Sequence, residues 1–386
     1  MWREYELGEL LSYEQPTPYI VKSTEYDDSY KTPVLTAGKS FIIGYTDETN
    51  GVYDAVPVII FDDFTTATQY VNFPFKVKSS AMKILTANEN LVLPKFIYYQ
   101  MQIINFDHST HKRYWIQQYS KVKVSIPPIA EQERIVARIE ELFSQLDKSV
   151  ETLQTVKEQL AVYRQAVLKY AFEGKLTGFI KLDDVNLGSL IEKPRYGTSK
   201  KCGYTVTGAT IPVYRIPNIN HYSGTVDHTD LKYAEFKDSE LNALTLQEGD
   251  LLLIRSNGSA SLVGRAAMVK QTDLGGTFAG YLIRLRIKDQ MIMNPKYLLL
   301  YLQSFAARCY IENKAKSTSG VHNINSDEIS ELKIPLYRLN EQQTIIEAIE
   351  ARTSICDKIS EIIEQSLNQA EALRQSILKQ AFEGEL

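Results

Sequence analysis

A 46-residue segment occurs twice in this chain, and this duplication constrains the fold more than any other feature. Residues 131–176 and 341–386 align without a gap at an offset of 210, and 19 of their 46 positions are identical. A shorter echo relates Leu7-Gly8-Glu9-Leu10 to Leu187-Gly188-Ser189-Leu190 at an offset of 180. The chain is therefore ordered as head, repeat, second head and second repeat, and its period is too long for a solenoid.

Each copy of the repeat is predicted to form one long helix. Apolar residues recur at the heptad spacing of a supercoiled helix. In the first copy they are Ile135, Ile139, Leu142, Leu146, Val150, Leu153, Val156, Leu160, Tyr163, Val167 and Tyr170, and in the second Ile345, Ile349, Ile359, Ile363, Leu367, Ala370, Leu373 and Ile377. Gly174 and Gly384 suit the C-terminal caps. Two such seams predict that the helices pair; separate packing of each helix on its own head is the alternative.

The predicted fold class is α+β: two mixed α/β heads separated by two long antiparallel helices that form a coiled coil, with an approximate internal two-fold axis. The predicted boundaries are 1–127 for the first head, 128–178 for the first helix, 179–335 for the second head and 336–386 for the second helix. Strands are expected around 34–35, 41–43, 56–61 and 75–77, then 213–216, 250–254, 262–269 and 281–287. Short helices are expected at 94–104 and 295–307.

Composition limits the classes of protein that the chain can belong to. Its 386 residues include three scattered cysteines, Cys202, Cys309 and Cys356, which argues against a disulfide framework and favours a cytoplasmic location. No apolar run approaches the roughly 18–20 residues that span a bilayer. The net charge is −4, which by itself argues against a nucleic-acid binder. Residues 181–333 nevertheless carry 19 basic and 16 acidic side chains, so a local basic face is compatible with the acidic total.

Several segments resemble parts of known catalytic motifs, but none of these motifs is complete. Gly38-Lys39-Ser40 resembles the end of a phosphate-binding loop, but Pro33 stands where its first glycine would be. Asp62-Asp63 has no third metal ligand nearby in the sequence, and His108 and His111 lack zinc-spaced partners. The chain is therefore not expected to be an enzyme acting alone, and we assign it no catalytic and no metal-binding residues.

Polar loops with basic residues are the candidate recognition surfaces. Lysine and arginine hold phosphates, and arginine can also bind guanine through two hydrogen bonds. The second head supplies the DNA-binding candidates Tyr196, Thr198, Lys200, Lys201, Arg255, Asn257, Arg265 and Lys316. The first head supplies the candidates Lys39, Thr65, Lys78, Lys112 and Arg113. An ordinary solvated turn is the alternative for each loop, and an exposed strand edge is the alternative for Lys76 and Lys78.

Apolar residues outside the predicted seams are candidate partner-binding residues. Val136, Phe143, Phe172, Ile346 and Phe382 would lie on the outer side of an antiparallel helix pair. From this set Phe143, Phe172, Ile346 and Phe382 are predicted to bind partner subunits. Packing against the adjacent head is the alternative.

The whole chain resembles the specificity subunit of Type I restriction–modification systems. The resemblance lies in the order of heads and helices, the Glu-Gln pair at each helix start and Ala-Phe-Glu-Gly near each helix end. The second head is similar to target-recognition domains of that family in Tyr196-Gly197-Thr198-Ser199-Lys200 and Arg255-Ser256-Asn257-Gly258-Ser259. The first head resembles another variety in Asp62-Asp63-Phe64-Thr65 and in residues 33–39 and 75–82.

The resemblance implies a non-catalytic subunit that recognises double-stranded DNA. Each head would read one half of an asymmetric bipartite target. The helices would act as a ruler and bind two modification subunits, which are the methyltransferases. No cofactor is expected in this chain, because S-adenosylmethionine, ATP and Mg²⁺ would belong to the modification subunits and to the restriction (motor-nuclease) subunits.

Two other functions remain open at this point. The chain could direct an orphan adenine-N6 methyltransferase that has no nuclease partner, or it could be a two-headed structural tether that binds no DNA. Mapping of methylated adenines would separate the structural tether from the first interpretation, and the neighbouring genes would decide whether a nuclease partner exists.

Overall fold

The computed structural model describes residues 2–36, 40–106, 113–208, 210–315, 317–318 and 320–386. The chain forms two compact units. The first unit contains residues 1–154 and 364–386, and the second contains residues 155–363. Within the described residues, none of the helices combines the length and the apolar character that are needed to cross a bilayer.

The first head consists of short strands around two helices. Its elements are β1 (Arg3–Glu6), α1 (Leu7–Leu10), β2 (Leu11–Glu14), β3 (Thr32–Leu35), β4 (Ile42–Thr46), β5 (Val58–Asp62), β6 (Thr68–Val71), β7 (Lys76–Val77), β8 (Met82–Ala87), α2 (Pro94–Met101) and β9 (Lys123–Ile126). They form an antiparallel sheet in the order β2-β8-β5-β6, a smaller sheet β4-β3-β7 and the pair β1-β9. The long helix α3 (Ile129–Phe172) follows.

The second head has more strands. Its elements are β10 (Asp183–Asn186), α4 (Leu187–Leu190), β11 (Arg195–Tyr196), β12 (Thr210–Tyr214), β13 (Ile219–Asn220), β14 (Thr225–Val226), β15 (Lys232–Glu235), α5 (Asp238–Leu244), β16 (Leu251–Ile254), β17 (Ser256–Asn257), β18 (Ala266–Met268), β19 (Thr277–Phe278), β20 (Leu282–Leu285), α6 (Pro295–Leu302), α7 (Phe305–Lys314), β21 (Ser317–Thr318), β22 (Val321–Asn323), α8 (Ser326–Ser330) and β23 (Lys333–Leu336). Its sheets are β11-β20-β16-β18-β14-β13, β15-β12-β19, β17-β22-β21 and the pair β10-β23. The second long helix is α9 (Leu339–Glu383).

The predicted elements are largely present, with shifted ends. The helix predicted at 295–307 is instead two helices, because the Ser304 hydroxyl accepts a hydrogen bond from the Ala307 backbone N–H and caps a new helix. The strand predicted at 262–269 is confined to β18, and a turn of 3₁₀ helix occupies Ala260–Leu262.

The central strand of each head divides its side chains between two cores. In β5, Ile59 and Phe61 belong to the core that includes α3, whereas Val58 and Ile60 belong to a second core toward the smaller sheet. In β16, Leu251 and Leu253 belong to the core that includes the long helices, whereas Leu252 and Ile254 belong to the core on the other side of the sheet. Alternation along a strand sends neighbours to opposite faces. An uninterrupted apolar run is therefore expected for a strand that is covered on both sides.

The Leu-Gly-x-Leu echo forms the same junction in both heads. β1 pairs antiparallel with β9, and β10 pairs in the same way with β23. The helical turn that follows each first strand places its glycine against a serine: a Cβ on Gly8 would lie 3.3 Å from the Ser120 carbonyl oxygen, and a Cβ on Gly188 would lie 2.9 Å from the Ser330 Cβ. Glycine is required here because the two segments approach so closely.

The long helices pair antiparallel within each unit. In the first unit Arg134 donates a hydrogen bond to the Leu386 carbonyl oxygen, and Asp147 pairs with Arg374. In the second unit Arg164 and Asp357 form an ion pair of 2.7 Å. The two helices also share one apolar core with the head in each unit. The prediction of paired helices is therefore confirmed, and the packing of helices on heads occurs as well.

Three residues of the predicted seams are on the outside. Tyr163 and Tyr170 are each 48% exposed, and Leu373 is 51% exposed. A nearly straight helix has 3.6 residues per turn, so a stripe extrapolated at 3.5 drifts off the buried face. Near the end of α3 the buried face instead consists of Val167, Leu168 and Ala171.

The predicted outer apolar positions pack on the heads. Phe143 belongs to the core of the first unit, and the partly buried Phe382 packs against that core. Phe172 and Ile346 belong to the core of the second unit. The rings of Phe172 and Tyr301 lie 5.0 Å apart, and those of Phe382 and Phe96 lie 5.1 Å apart. These side chains pack on a head, which is the alternative that the sequence left open for them; their role in partner binding stays a prediction.

Candidate nucleic-acid interface and helix grooves

Three of the predicted polar loops meet on one surface of the second unit, which we call the three-loop surface. It consists of residues 196–201, 255–257, 317–318 and 320–323. The Thr198 N–H donates to the Phe278 carbonyl, and the Arg255 N–H donates to the Tyr281 carbonyl. Strand β17 pairs with β22, and β22 pairs with β21. Backbone hydrogen bonds therefore bring together segments that are more than 100 residues apart in the sequence.

The Arg255 side chain lies at the junction of these loops. Its guanidinium carbon is 4.5 Å from the centroid of the Tyr196 ring, a cation–π contact. Its Nη1 donates a 3.5 Å hydrogen bond to the Gly280 carbonyl. The Tyr196 hydroxyl in turn accepts a hydrogen bond from the Ser326 N–H, which fixes the ring. No carboxylate of the described residues forms an ion pair with Arg255.

A cleft of about 530 Å³ opens beside the Thr198 loop. Its walls carry Lys200, Arg215 and Lys232, and the 63% exposed Tyr281 lies at its edge. Cationic side chains around a concave surface raise the local positive potential. The cleft combines positive charge with an aromatic ring, which are the groups that bind phosphates and bases.

Two of these cations have internal partners. Lys200 Nζ is 2.7 Å from a Glu240 carboxylate oxygen, and its hydrogen bond is the main cause that lowers the pKa of that carboxyl. Arg215 lies 2.8 Å from Asp230, whose pKa is lowered first by a hydrogen bond from Tyr204 and then by Arg215. Lys200 was predicted as a DNA contact, and the structure places it in an ion pair.

The remaining candidates of the second head differ in position. Lys201 is exposed, and the Asn257 side chain accepts a hydrogen bond from the Ser259 N–H. Arg265 lines a concave region beside Arg164 and Lys296, and its Nε donates to the Ser261 carbonyl. Burial, followed by the charge of Arg308, lowers the pKa of the Arg265 guanidinium.

In the first unit the buried Asp63 joins the segments that carry the candidates. Its carboxylate accepts a hydrogen bond from the Trp115 N–H and lies 3.3 Å from Lys83 Nζ. Its backbone carbonyl accepts a hydrogen bond from the Tyr114 N–H. The loop with Thr65 and the segment with Arg113 are therefore tied together, and both of these side chains are exposed.

Lys76 and Lys78 have opposite environments, although the alternative to DNA contact put both on one exposed strand edge. Lys78 is exposed. Lys76 is 2% exposed, and its Nζ donates to the carbonyls of Asn50 and Gly51 and lies 3.2 Å from Glu48. Lys76 is therefore a structural cation. The candidates Lys39, Lys112 and Lys316 lie outside the described residues.

A groove beside the paired helices occurs in each unit. The groove of the first unit has a volume of about 620 Å³ and runs between α2 and the two long helices. Its lining includes Gln102, Glu140, Ser144, Asp147, Arg374, Gln375 and Leu378. The groove of the second unit has a volume of about 510 Å³, and its lining includes Gln303, Glu350, Ser354, Asp357, Arg164, Gln165 and Leu168. The residue types in these two selections correspond one to one.

The ion pairs of the two grooves correspond as well. Asp147 pairs with Arg374 in the first groove, and Asp357 pairs with Arg164 in the second. At one side of each groove a lysine that follows the first proline of the short helix pairs with a glutamate of the long helix: Lys95 with Glu140, and Lys296 with Glu350. The grooves also differ. Tyr98, Tyr99 and Phe143 of the first groove stand where Leu299, Leu300 and Thr353 stand in the second. Polar residues line one groove without a counterpart in the other: Lys148, Glu151 and Glu371 in the first, and His221, Tyr222, Ser223 and Arg265 in the second.

The sequence interpretation missed the grooves and most of the cleft. Arg215 and Lys232 carry no motif, although Arg215 follows β12 directly, as Arg255 follows β16. That shared position after a strand was the available signal. The groove residues were detectable as identical positions of the repeat, such as Asp147 and Asp357. Among the described residues, no group of three or more histidine, cysteine, aspartate or glutamate side chains is placed to hold a metal ion.

Comparison with known proteins gives one consistent result. The family model of the Type I restriction modification DNA specificity domain matches residues 1–160 and again residues 181–371. The chain belongs to this family. Each match covers one head and most of the long helix that follows it, so the family domain is the unit that the internal repeat duplicates.

Curated relatives in the Type I specificity family match over most of this chain. The EcoR124I/EcoR124II specificity subunit of Escherichia coli is 32% identical over 369 residues, which are 92% of this chain and 87% of that protein. The EcoKI specificity subunit of Escherichia coli K12 is 32% identical over 280 residues, which are 69% of this chain and 58% of that protein.

Solved structures share the fold. A chain from a study of complex assembly and conformational transition of the type I R-M system aligns with a TM-score of 0.72 at 17% identity, covering 100% of this chain and 98% of that chain. The HsdS subunit of Thermoanaerobacter tengcongensis aligns with a TM-score of 0.50 at 18% identity, covering 100% of this chain and 97% of that chain.

Proposed function

We propose that this chain is the DNA-specificity subunit of a Type I restriction–modification complex. In this proposal each head recognises one half of an asymmetric bipartite sequence in double-stranded DNA. The chain itself is a recognition subunit and performs no catalysis. The reaction belongs to partner subunits that act on the DNA which this chain selects. In this proposal the chain lies in the cytoplasm, together with that DNA.

The proposal rests on one observation: some parts of the two units are duplicated and other parts differ. The parts shared by the two units are the strand junctions, the helix ends and the grooves. The parts that differ are the recognition loops, with the three-loop surface in one head and the segments joined by Asp63 in the other. Two units with the same junctions, helix ends and grooves but different recognition loops suit a protein that recognises two different half-sites.

The corresponding grooves support docking of two copies of one partner. Their carboxylates, guanidinium groups and amides occur at equivalent positions, so a complementary surface that fits one groove also fits the other. We assign them to two modification subunits. S-adenosylmethionine would bind to those subunits, and ATP and Mg²⁺ would serve the restriction subunits.

The paired long helices support the proposal that this chain sets the distance between the two half-sites. Each long helix contributes residues to both units. In this proposal the number of helical turns sets the length of the non-specific spacer between the half-sites.

The test of recognition is methylation mapping. The chain is co-expressed with its cognate modification subunit, and N6-methyladenine is located in the host DNA. We expect one bipartite motif with unlike halves and a fixed spacer. Absence of any motif that depends on this chain would remove the DNA function and leave a protein tether. Degradation of unmethylated DNA on addition of the restriction subunit separates a complete restriction system from an orphan methyltransferase.

The test of docking uses the groove ion pairs. Arg374→Ala and Arg164→Ala each open one groove pair, and we expect the mass of the purified complex to fall from two bound modification subunits to one. The double variant should bind neither. Arg138→Ala is the matched control, because Arg138 pairs with Glu141 on the same face of one helix and lines neither groove. Two modification subunits on the double variant would contradict docking through the grooves.

A further inference from the structure

Arg255 combines a fixed orientation with an uncompensated charge. Its backbone N–H and carbonyl both form hydrogen bonds, to Tyr281 and from Ile324. Its guanidinium stacks on Tyr196 at 4.5 Å, and Tyr196 is held by Ser326. The side chain therefore has little freedom left to lose when it binds a ligand.

The guanidinium also retains donors that the protein does not use. Its Nε is buried and has no hydrogen-bond partner. Its Nη1 makes only the 3.5 Å bond to Gly280, and its Nη2 makes none and is not enclosed. Each Nη of a guanidinium carries two N–H donors, so one hydrogen of Nη1 and both of Nη2 remain for two acceptors that lie in one plane.

The neighbouring cations are arranged differently. Lys200 is neutralised by Glu240, and Arg215 is tied to Asp230. Lys201 is exposed on a flexible stem. A mobile ammonium satisfies a phosphate, which asks for charge more than for direction. Directional contacts on this surface therefore fall to Arg255.

We propose that Arg255 reads a guanine in the half-site of the second head, donating to its O6 and N7 in the major groove. Tyr196 is the positioning residue that holds the guanidinium in the plane of the base. This inference rests on the proposed function and adds the residue and the base that it selects. The pairing is the one that arginine geometry favours among the four bases.

The experiment compares charge with geometry at one position. Arg255→Lys keeps the positive charge and removes the paired donors. In the full complex we expect Arg255→Lys to relax one guanine of one half-site, with discrimination there falling on the order of ten- to a hundredfold. The salt dependence of binding should stay unchanged, because the number of phosphate contacts is the same. Methylation mapping and duplex binding over a salt series give both readouts.

Variants of Tyr196 test the positioning role. Tyr196→Phe keeps the ring and should retain the wild-type motif. Tyr196→Ala removes the ring and should relax the same guanine as Arg255→Lys, with a smaller loss. Lys201→Ala is the control: it should lower the salt slope by at most about one unit and leave the motif intact.

Three results would overturn the inference while the proposed function stands. The wild-type motif has no guanine in the half-site that Arg255 affects; or Arg255→Lys preserves the motif at full selectivity; or Arg255→Ala lowers the salt slope by about one unit without changing the motif, which identifies a phosphate contact. A wild-type complex that yields no motif would instead remove the proposed function itself.

Discussion

The two units of this protein are alike where they contact helices and unlike where they present loops. In the first unit the buried Gln132 accepts a hydrogen bond from the Leu93 N–H and donates to the carbonyls of Leu91 and Pro127. In the second unit Gln342 makes the equivalent bonds to Asn294, Ile292 and Tyr337. The recognition segments share no such correspondence: Asp63 organises one head, and the Arg255 junction organises the other.

The comparison teaches which parts of a duplicated protein are free to diverge. A buried amide that satisfies three backbone groups cannot change in one copy without leaving polar groups unpaired. A loop on the surface carries no such cost. Divergence therefore concentrates in the loops. The buried contacts that both units share, such as those of Gln132 and Gln342, keep each head packed on the long helices in the same way.

The largest expected effect comes from making the two heads the same. We replace residues 187–332 by residues 7–122, which joins the chain at the equivalent Leu-Gly-x-Leu turn and the equivalent strand. Since the helices pair antiparallel, we expect a target in which the half-site of the first head occurs twice, as an inverted repeat. Methylation mapping measures it. Retention of the original second half-site would show that the heads alone do not determine the sequence.

The spacer should change while both half-sites stay the same. Four residues are inserted after Thr155 and four after Gln365, which are exposed positions of the long helices at the boundary between the two units. One extra turn adds about 6 Å, equivalent to roughly two base pairs at 3.4 Å each, and about 40° of rotation. We expect a motif with a spacer longer by one or two base pairs. Full methylation at the old spacer would contradict the ruler.

The site of insertion matters because the helix ends are packed. Leu168 and Phe172 belong to the core of the second unit, so an insertion beside them would disrupt that core. An insertion in the first helix alone is the informative control. It leaves the pair out of register, and we expect lower stability of the complex and no new motif.

The buried amides should matter equally in the two units. Gln132→Leu and Gln342→Leu each leave backbone groups without partners, and each should lower the free energy of unfolding by about 1–3 kcal/mol. Gln343→Leu is the control, because Gln343 is exposed and bonds only to side chains. Chemical denaturation measures the loss. A large effect in one unit only would show that the buried glutamine contacts of the two units are not equivalent.

The smallest expected effect concerns Lys200. Its charge is already balanced by Glu240, and an exposed pair of this kind contributes little to stability. Lys200→Ala should therefore change DNA affinity less than Arg255→Ala and leave the motif unchanged. Titration with cognate duplex measures the difference. A loss for Lys200→Ala as large as that for Arg255→Ala would show that the ion pair opens when DNA binds.

The duplication, the long helices and the family could all be identified from the sequence. These features depend on local periodicity and on residues that recur in order, such as Glu131-Gln132 and Ala171-Phe172. The sequence left open whether Phe143 and Phe382 pack on a head or face a partner, because the surroundings of an apolar residue beside a seam depend on segments far away in the chain. The pairing of Lys200 with Glu240 escaped prediction for the same reason.

What the sequence determined by itself is the architecture: two unlike heads, two long helices and a frame that occurs twice. Only the tertiary structure decided which cations remain available. Lys76, Lys200 and Arg255 look alike as positive residues in polar segments. The first is buried against backbone carbonyls, the second is neutralised, and the third is stacked and left with unused donors. The physical reason is that charge is a property of one residue, whereas compensation of that charge depends on partners that folding brings from distant parts of the chain.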